Sequence, residues 1–538
     1  MKRTRMALFL SLVTATVAAA QPVITSLSAD ALERSGRLRV GGASFGVSSD
    51  DSRVEIGGIP AASTRWSDSL IVAYVPEAAT LGAASVQVFT APGASNEMSV
   101  EVTSRVPPQD GVAWRFEADS DYIQTRPAVA ADGTVYTTDI GGHLYALTPD
   151  GGLKWVFNEL DGVGNKGVTL GADDTIFVGS ERAITAINAD GTLRWRFIQD
   201  PRAFILLEPN VGPDGNIYAV AIQGLGVFSL TPDGNLRWSV PEPYDRLPVQ
   251  IQEIVFGPGG TDFQLYFHAN NHLQGIQLDG TTTFSNPGPV STLLGDPQPA
   301  VGPDGTIYAN RLDTPQGLRL KAFDPGGNRL WTFPDDDLPT NALSTPDVGS
   351  DGVIYDGRNL ATLHAVNPDD TERWHYTDSG ILFSPAVSPN NDLIFLGGRV
   401  TYGQPGFFVA ISTAGALLWR IALPTERGRQ TLPNSRARFA NDGQTVYIGT
   451  DLSGEETGNE HCYLYAVPTT SVDSVASEDG AGNIGIGTIA NPWRRYRNRC
   501  DRNARTYPSP KPGSPMPGYA CGPRPSNCAR HFHENRSS

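Results

Sequence analysis

Cysteine is scarce in this 538-residue chain: Cys462, Cys500, Cys521 and Cys528 are the whole set, and three of them crowd the C-terminal tail. No two are adjacent, no C-x-x-C-H haem attachment occurs, and no zinc-finger spacing occurs. A disulfide-built miniature scaffold is therefore excluded. If all four cysteines oxidise, three pairings are open. Sustained helical periodicity is also missing, which excludes a bundle. Apolar runs are short; none reaches the ~20 residues that a membrane-crossing helix needs. A phosphate loop, a G-x-S-x-G elbow, H-E-x-x-H and the full D-x-[DN]-x-[DN]-G calcium pattern are all absent.

Positive charge is the next shortage. Lys and Arg number 41 against 57 Asp and Glu, a net of −16. Residues 1–20 hold three basic side chains and no acidic one, and residues 489–538 hold ten basic against two acidic. The body between them carries about −27, which disfavours nucleic acid and favours solubility.

What is present is punctuation. Gly (58) and Pro (41) separate many short alternating runs, the pattern of an all-β chain. At the start, Lys2, Arg3 and Arg5 precede a short apolar core from Met6 to Ala18 and the small residues Ala18-Ala19-Ala20. This reads as a signal peptide over 1–20, so the protein is expected to be exported, to the periplasm or beyond the cell. No cysteine follows the apolar core, so no lipid anchor is expected there.

Residues 21–104 contain the alternating runs Leu38–Val40, Val54–Ile56, Leu70–Val75 and Ser85–Phe89, as expected of a small antiparallel sandwich. Pro22-x-Ile24-x-Ser26, Gly41-Gly42-x-x-Phe45-Gly46, Val54-x-Ile56-Gly57-Gly58-x-Pro60-Ala61, Trp66-Ser67-Asp68-x-x-Ile71, Pro76 and Gly93-x-Ser95-Asn96 follow in order. This order resembles the IPT/TIG family of immunoglobulin-like modules, with Gly36 alone where a Gly-Gly pair is usual. The resemblance implies a spacer or an adhesive surface and carries no catalytic residues.

From 110 to 470 the chain repeats. Tryptophans at 114, 155, 195, 238, 331, 374 and 419 recur near every forty residues, and Phe284 fills the one double gap. A second element pairs an apolar residue with an aromatic: Val135-Tyr136, Ile176-Phe177, Ile217-Tyr218, Leu265-Tyr266, Ile307-Tyr308, Ile354-Tyr355, Ile394-Phe395 and Val446-Tyr447. A third resembles Leu144-Tyr145-Ala146-Leu147 and recurs around Ala186, Phe228, Ile276, Ala322, Ala365, Ala410 and Ala466. Short runs such as Pro127-Ala128-Val129 come first in each unit. Four strands per unit of ~40 residues is the signature of a propeller blade. The array opens with a lone aromatic strand at 113–116 and ends on a third strand at 464–467. An eight-bladed ring would therefore close by joining its two ends, whereas a solenoid would leave them apart. The tryptophans are expected to pack blade against blade.

Leu144-Tyr-Ala-Leu-x-Pro-Asp-Gly-Gly-Leu-Lys-Trp155 and Ala186-Ile-Asn-Ala-Asp-Gly-Thr-Leu-Arg-Trp195 resemble the pyrroloquinoline-quinone (PQQ) type of repeat, and all eight units conform, the fourth (265–284) least well. That resemblance implies either a quinone-dependent dehydrogenase or a non-catalytic scaffold. The vicinal cysteine pair and haem domain of the dehydrogenases are missing, and no Glu, Asn and Asp set for calcium can be placed. No catalytic residue, cofactor site or metal site is therefore assigned, and PQQ with calcium lacks site residues to support it.

The residue ahead of each inner strand should lie at one mouth of the central channel. These residues are Arg126, Gly167, Glu208, Glu253, Gln298, Thr345, Ser384 and Arg436. Arg126, Glu208, Glu253, Gln298 and Arg436 are the candidate ligand contacts: arginines to grip a carboxylate or phosphate, with an acidic side facing them. Solvated or mutually paired channel charges are the plainer alternative. The histidines His143, His268, His272, His364, His375 and His461 fall in different units without ligand spacing, and His531-x-His533 would bind metal only adventitiously. The tail after 471 is polar, then basic (Trp493 to Arg499) and Pro-rich. It is expected to be disordered, and either a surface-binding arm or a segment folded back on the acidic body.

Three functions remain: an exported non-catalytic binding or scaffold protein with a protein or glycan partner, expected to be monomeric; a quinone-dependent oxidoreductase with an atypical site; or a cell-surface adhesion or glycan-binding protein led by the sandwich.

Overall fold

The computed structural model describes residues 20–470 apart from 110, 121, 124, 161–166, 181, 199–203, 206–207, 223–225, 242–253, 260–261, 270–271, 288–297, 314–316, 335–343, 359–360, 401–403, 427–428, 434 and 454–461. The segment read as a signal peptide, up to residue 19, and the tail after 470 lie outside the described residues. Among the described residues every regular element is a strand, and no helix there is long and apolar enough to cross a membrane.

Residues 23–103 form two facing sheets. Alternate residues of Arg53–Ile56, Gly82–Thr90 and Met98–Thr103 turn inward, so Val54, Ile56, Val86, Val88, Val100 and Val102 meet Leu38, Val40, Ile71 and Phe45 in one core. Trp66 packs on the edge of that core, its indole N–H donating to the Phe45 carbonyl at 3.3 Å.

Eight further sheets follow among the described residues. Sheet 1 is built from Ala128–Val129, Val135–Thr138, Leu144–Leu147 and Leu153–Phe157, paired antiparallel in sequence order. Sheets 2 to 7 repeat that order across 168–198, 204–240, 255–286, 300–333, 347–377 and 381–422. Sheet 8 differs. Its last strand, Cys462–Pro468, pairs with Trp114–Ala118 from the start of the array, Trp114 opposite Ala466 and Ala118 opposite Cys462. Strand edges that would otherwise be open at both ends thereby satisfy one another.

One row of side chains explains why the repeat keeps its residue types. In sheet 1, Tyr136 stands opposite Ala146, and Ala146 opposite Trp155. Because the central residue is small, the two flanking rings lean together over it, with centroids 5.8 Å apart. The row recurs as Phe177–Ala186–Trp195, Tyr308–Ala322–Trp331, Tyr355–Ala365–Trp374, Phe395–Ala410–Trp419 and Tyr447–Ala466–Trp114, with centroids 5.7 to 5.9 Å apart. Ser229 and Gly275 hold the central place in sheets 3 and 4, one residue away from the positions Phe228 and Ile276 expected from sequence.

The same tryptophans tie each sheet to the next. Trp114 donates its indole N–H to the Pro149 carbonyl of sheet 1 at 2.8 Å, Trp155 to Ala189 of sheet 2 at 3.1 Å, Trp195 to Pro232 of sheet 3 at 2.9 Å, and Trp238 to Leu278 of sheet 4 at 2.9 Å. Trp331 reaches Pro368 of sheet 6, Trp374 reaches Thr413 of sheet 7, and Trp419 reaches Thr469, just past the last strand of sheet 8. Phe284 has no such proton to give. Two residues on, Asn286 donates instead to the Gly327 carbonyl of sheet 5 at 2.7 Å. The receiving turns place glycine at positive φ beneath the ring: at Gly234 (φ 81°) an added Cβ would lie 2.7 Å from Trp195. The turn therefore needs glycine both for its backbone and for the ring above it.

The sandwich is docked on sheets 8 and 1 through buried polar groups. Arg37, 6 % exposed, donates to the Ala118 carbonyl at 2.8 Å and faces Glu117 and Asp119 at 3.6 and 3.5 Å. Thr64 donates to Asp119 at 2.9 Å, and the His143 Nε2 lies 3.2 Å from the Thr64 carbonyl. Tyr74 stacks on Phe116 at 5.4 Å. The module thus has a buried polar seat on these two sheets.

Candidate functional site

The innermost strands are only two to five residues long, and side chains two positions apart on them share a face. Arg126 precedes Ala128–Val129 of sheet 1 and is half-buried; its Nε is buried and has no hydrogen-bond partner among the described residues. Sheet 8 lies beside sheet 1, where Asn441 donates to the Ala130 carbonyl at 2.9 Å. Arg436, ahead of Arg438–Phe439 in sheet 8, donates to the side-chain oxygen of Gln298, ahead of Ala300–Val301 in sheet 5. Two residues 138 apart in sequence thus meet where the inner ends converge. Glu208 lies over Gly167: a Cβ added there would fall 2.5 Å from the carboxylate, so glycine at that aligned position makes room for it. Thr345 and Ser384 join sheets 6 and 7, the Thr345 N–H donating to the Ser384 hydroxyl at 3.0 Å. Glu253 lies outside the described residues.

Two participants escape an alignment of the residues ahead of each strand. Arg438 and Asp347 stand two positions further on, where other sheets carry Ala128, Ala300 and Ala386. The departure from alanine is visible in the sequence and was the available signal. Asp347 accepts from the Val387 N–H at 2.9 Å. Arg438 has no ion pair among the described residues. Burial, and then the charge of Arg126, push its pKa down to about 10, against the pull of Glu208 and Asp347. Arg126, Glu208, Asp347 and Arg438 therefore share one electrostatic environment.

The histidines divide. His143 joins the sandwich seat, its Nδ1 lying 2.9 Å from Asp139, which also accepts from the Tyr145 hydroxyl at 2.8 Å. The expectation that the histidines fall in different units fails twice: His268 and His272 share sheet 4, and His364 and His375 share sheet 6. The hairpin register sets the latter two opposite one another in sheet 6. Cys462 is a free thiol, fully buried in the last strand, and burial raises its pKa; the other cysteines lie outside the described residues.

These features define a class: an immunoglobulin-like sandwich seated on a β-propeller. More particularly, the propeller is of the PQQ-like type and the sandwich is an IPT/TIG domain. The family model described as outer membrane protein assembly factor BamB matches residues 99–258, and that of the IPT/TIG domain matches residues 22–104. Among solved structures, the Dos1 propeller aligns with a TM-score of 0.50 at 11 % identity, covering 66 % of this chain and 96 % of that one. BamB from Moraxella catarrhalis aligns at 0.46 and 13 % identity, covering 65 % and 99 %. The search of curated proteins gives no match. At these identities the likeness concerns the fold alone.

Proposed function

We propose that this protein is an exported, non-catalytic binding platform: a closed eight-bladed propeller whose channel mouth receives an anionic group, such as the carboxylate end of a peptide or an acidic glycan. The observation that carries this reading is the gathering of Arg126, Arg436 and Arg438 at the inner ends of sheets 1 and 8, with Arg126 and Arg438 free of ion pairs among the described residues. Like charges held together at partial burial are costly, and an incoming carboxylate relieves the cost while accepting hydrogen bonds from planar guanidinium donors. Glu208 and Asp347 suit a ligand that also carries a positive group. The cyclic order of the indole contacts, from Trp114 round to Trp419, supports eight blades. The exported reading rests on the basic-apolar-small start of the chain, and the cofactor-free reading on the missing quinone-site residues; a monomer is part of the same proposal.

Calorimetric titration with an acetylated tetrapeptide bearing a free C-terminal carboxylate, beside its C-terminal amide, tests the pocket. The acid should bind, the amide should not, and Arg126→Ala with Arg438→Ala should weaken the acid by at least ~10-fold, since a charge-assisted bond contributes about 1.5–3 kcal/mol. Equal affinity in wild type, in that pair and in Arg126→Ala with Arg436→Ala defeats the proposal. A clear thermal stabilisation by PQQ plus calcium would instead favour the oxidoreductase.

A further inference from the structure

We propose that His364, Glu372 and His375, on the outer part of sheet 6, form a binding site for a divalent transition-metal ion. His364 lies on Thr362–Val366 and stands directly opposite His375 on Glu372–Thr377. The pairing then slips by one residue between Ala365 and Val366, so that Glu372 rather than Arg373 stands opposite Val366. A bulge of this kind turns the side chain at 372 onto the histidine face. The Glu372 Oε1 lies 2.9 Å from the Nδ1 of His364 and 2.9 Å from the Nδ1 of His375. The three donor atoms lie within 4.8 Å of one another, the one such His, Cys, Asp and Glu group among the described residues.

The repeat supplies internal controls. Six other sheets slip at the same point, and the three equivalent places hold Tyr145, Leu153 and Val156 in sheet 1, Thr185, Leu193 and Arg196 in sheet 2, and Val409, Leu417 and Arg420 in sheet 7. The same register slip therefore carries a His, Cys, Asp or Glu group of this kind in sheet 6 alone among the described residues. His364 is mostly shielded, its ring edge-on to Phe333 of sheet 5 at 5.9 Å, which holds one donor in place, while His375 is open to solvent.

The chemistry selects the ion. Two imidazoles and a carboxylate suit zinc, cobalt or nickel; calcium and magnesium prefer oxygen alone. Ligands about 2.0–2.2 Å from a tetrahedral zinc stand roughly 3.3 Å apart, so the 2.9 Å hydrogen-bonded separations need only a small opening as the metal replaces the shared protons. The fourth position is left to water or an outside ligand.

Cobalt titration of the untagged full chain, followed by visible absorption and displaced by zinc, tests this site. One equivalent should give ligand-field bands that zinc abolishes. The bands should persist in His531→Ala with His533→Ala, which removes the tail histidines. In His375→Asn and in Glu372→Gln the apparent affinity should fall at least ~10-fold, with unchanged near-ultraviolet circular dichroism as evidence of an intact fold. Absent bands in the wild type, or bands unaltered in both His375→Asn and Glu372→Gln, overturn it.

Discussion

At the scale of single residues, the repeat is held by pairs in which one partner is large because the other is small. The indole of Trp195 rests on Gly234, which has φ 81° and no room for a methyl group. Gly234→Ala should cost about 1–3 kcal/mol, combining backbone strain with displacement of the ring, measurable by urea unfolding. His143 obeys different physics. Burial opposes its protonation, but the hydrogen bond and charge of Asp139 prevail and its pKa is raised. A raised folded-state pKa stabilises the fold fully below the unfolded value of ~6.5, and the benefit is lost as pH climbs through the folded pKa. Melting curves for wild type and His143→Asn should therefore differ most in mild acid and converge as pH rises; a gap that widens with pH would refute the assignment.

At the scale of elements, strand order decides what a local motif can do. Seven sheets slip register between their third and fourth strands, because an Asp-Gly type of turn joins them and adds a residue at its exit. In sheet 8 no turn joins Trp114–Ala118 to Cys462–Pro468, and the pairing runs without a slip. Trp419, 1 % exposed, couples this composite sheet to sheet 7. Trp419→Ala should cost about 3–5 kcal/mol. Substituting the half-exposed Trp155 should cost less, although both occupy the same place in the repeat. Denaturant titration of the two variants distinguishes burial from motif as the source of stability.

At the scale of the whole molecule, the sandwich and the sheets share a polar seat around Arg37. Removing one member of a buried, paired charge leaves its partners uncompensated, at about 3–5 kcal/mol. Arg37→Ala should therefore separate one calorimetric unfolding transition into two, the sandwich melting apart from the propeller. Two transitions already in the wild type would mean that the seat does not couple the domains.

The sequence alone determined the strands, their grouping in fours, the immunoglobulin-like start and the packing role of the tryptophans. Each of those follows from periodicity and turn chemistry within about forty residues. Arg126, Glu208, Gln298 and Arg436 were legible as one class by alignment of the repeats, whereas Arg438 and Asp347 escaped that alignment because they stand two positions further on, within the strand itself. Only the tertiary structure decided that Arg436 meets Gln298, that the sandwich has a fixed seat, and that His364, Glu372 and His375 converge. Those contacts depend on which sheets and strands stand side by side and on a one-residue slip. Distance along the chain carries no record of either.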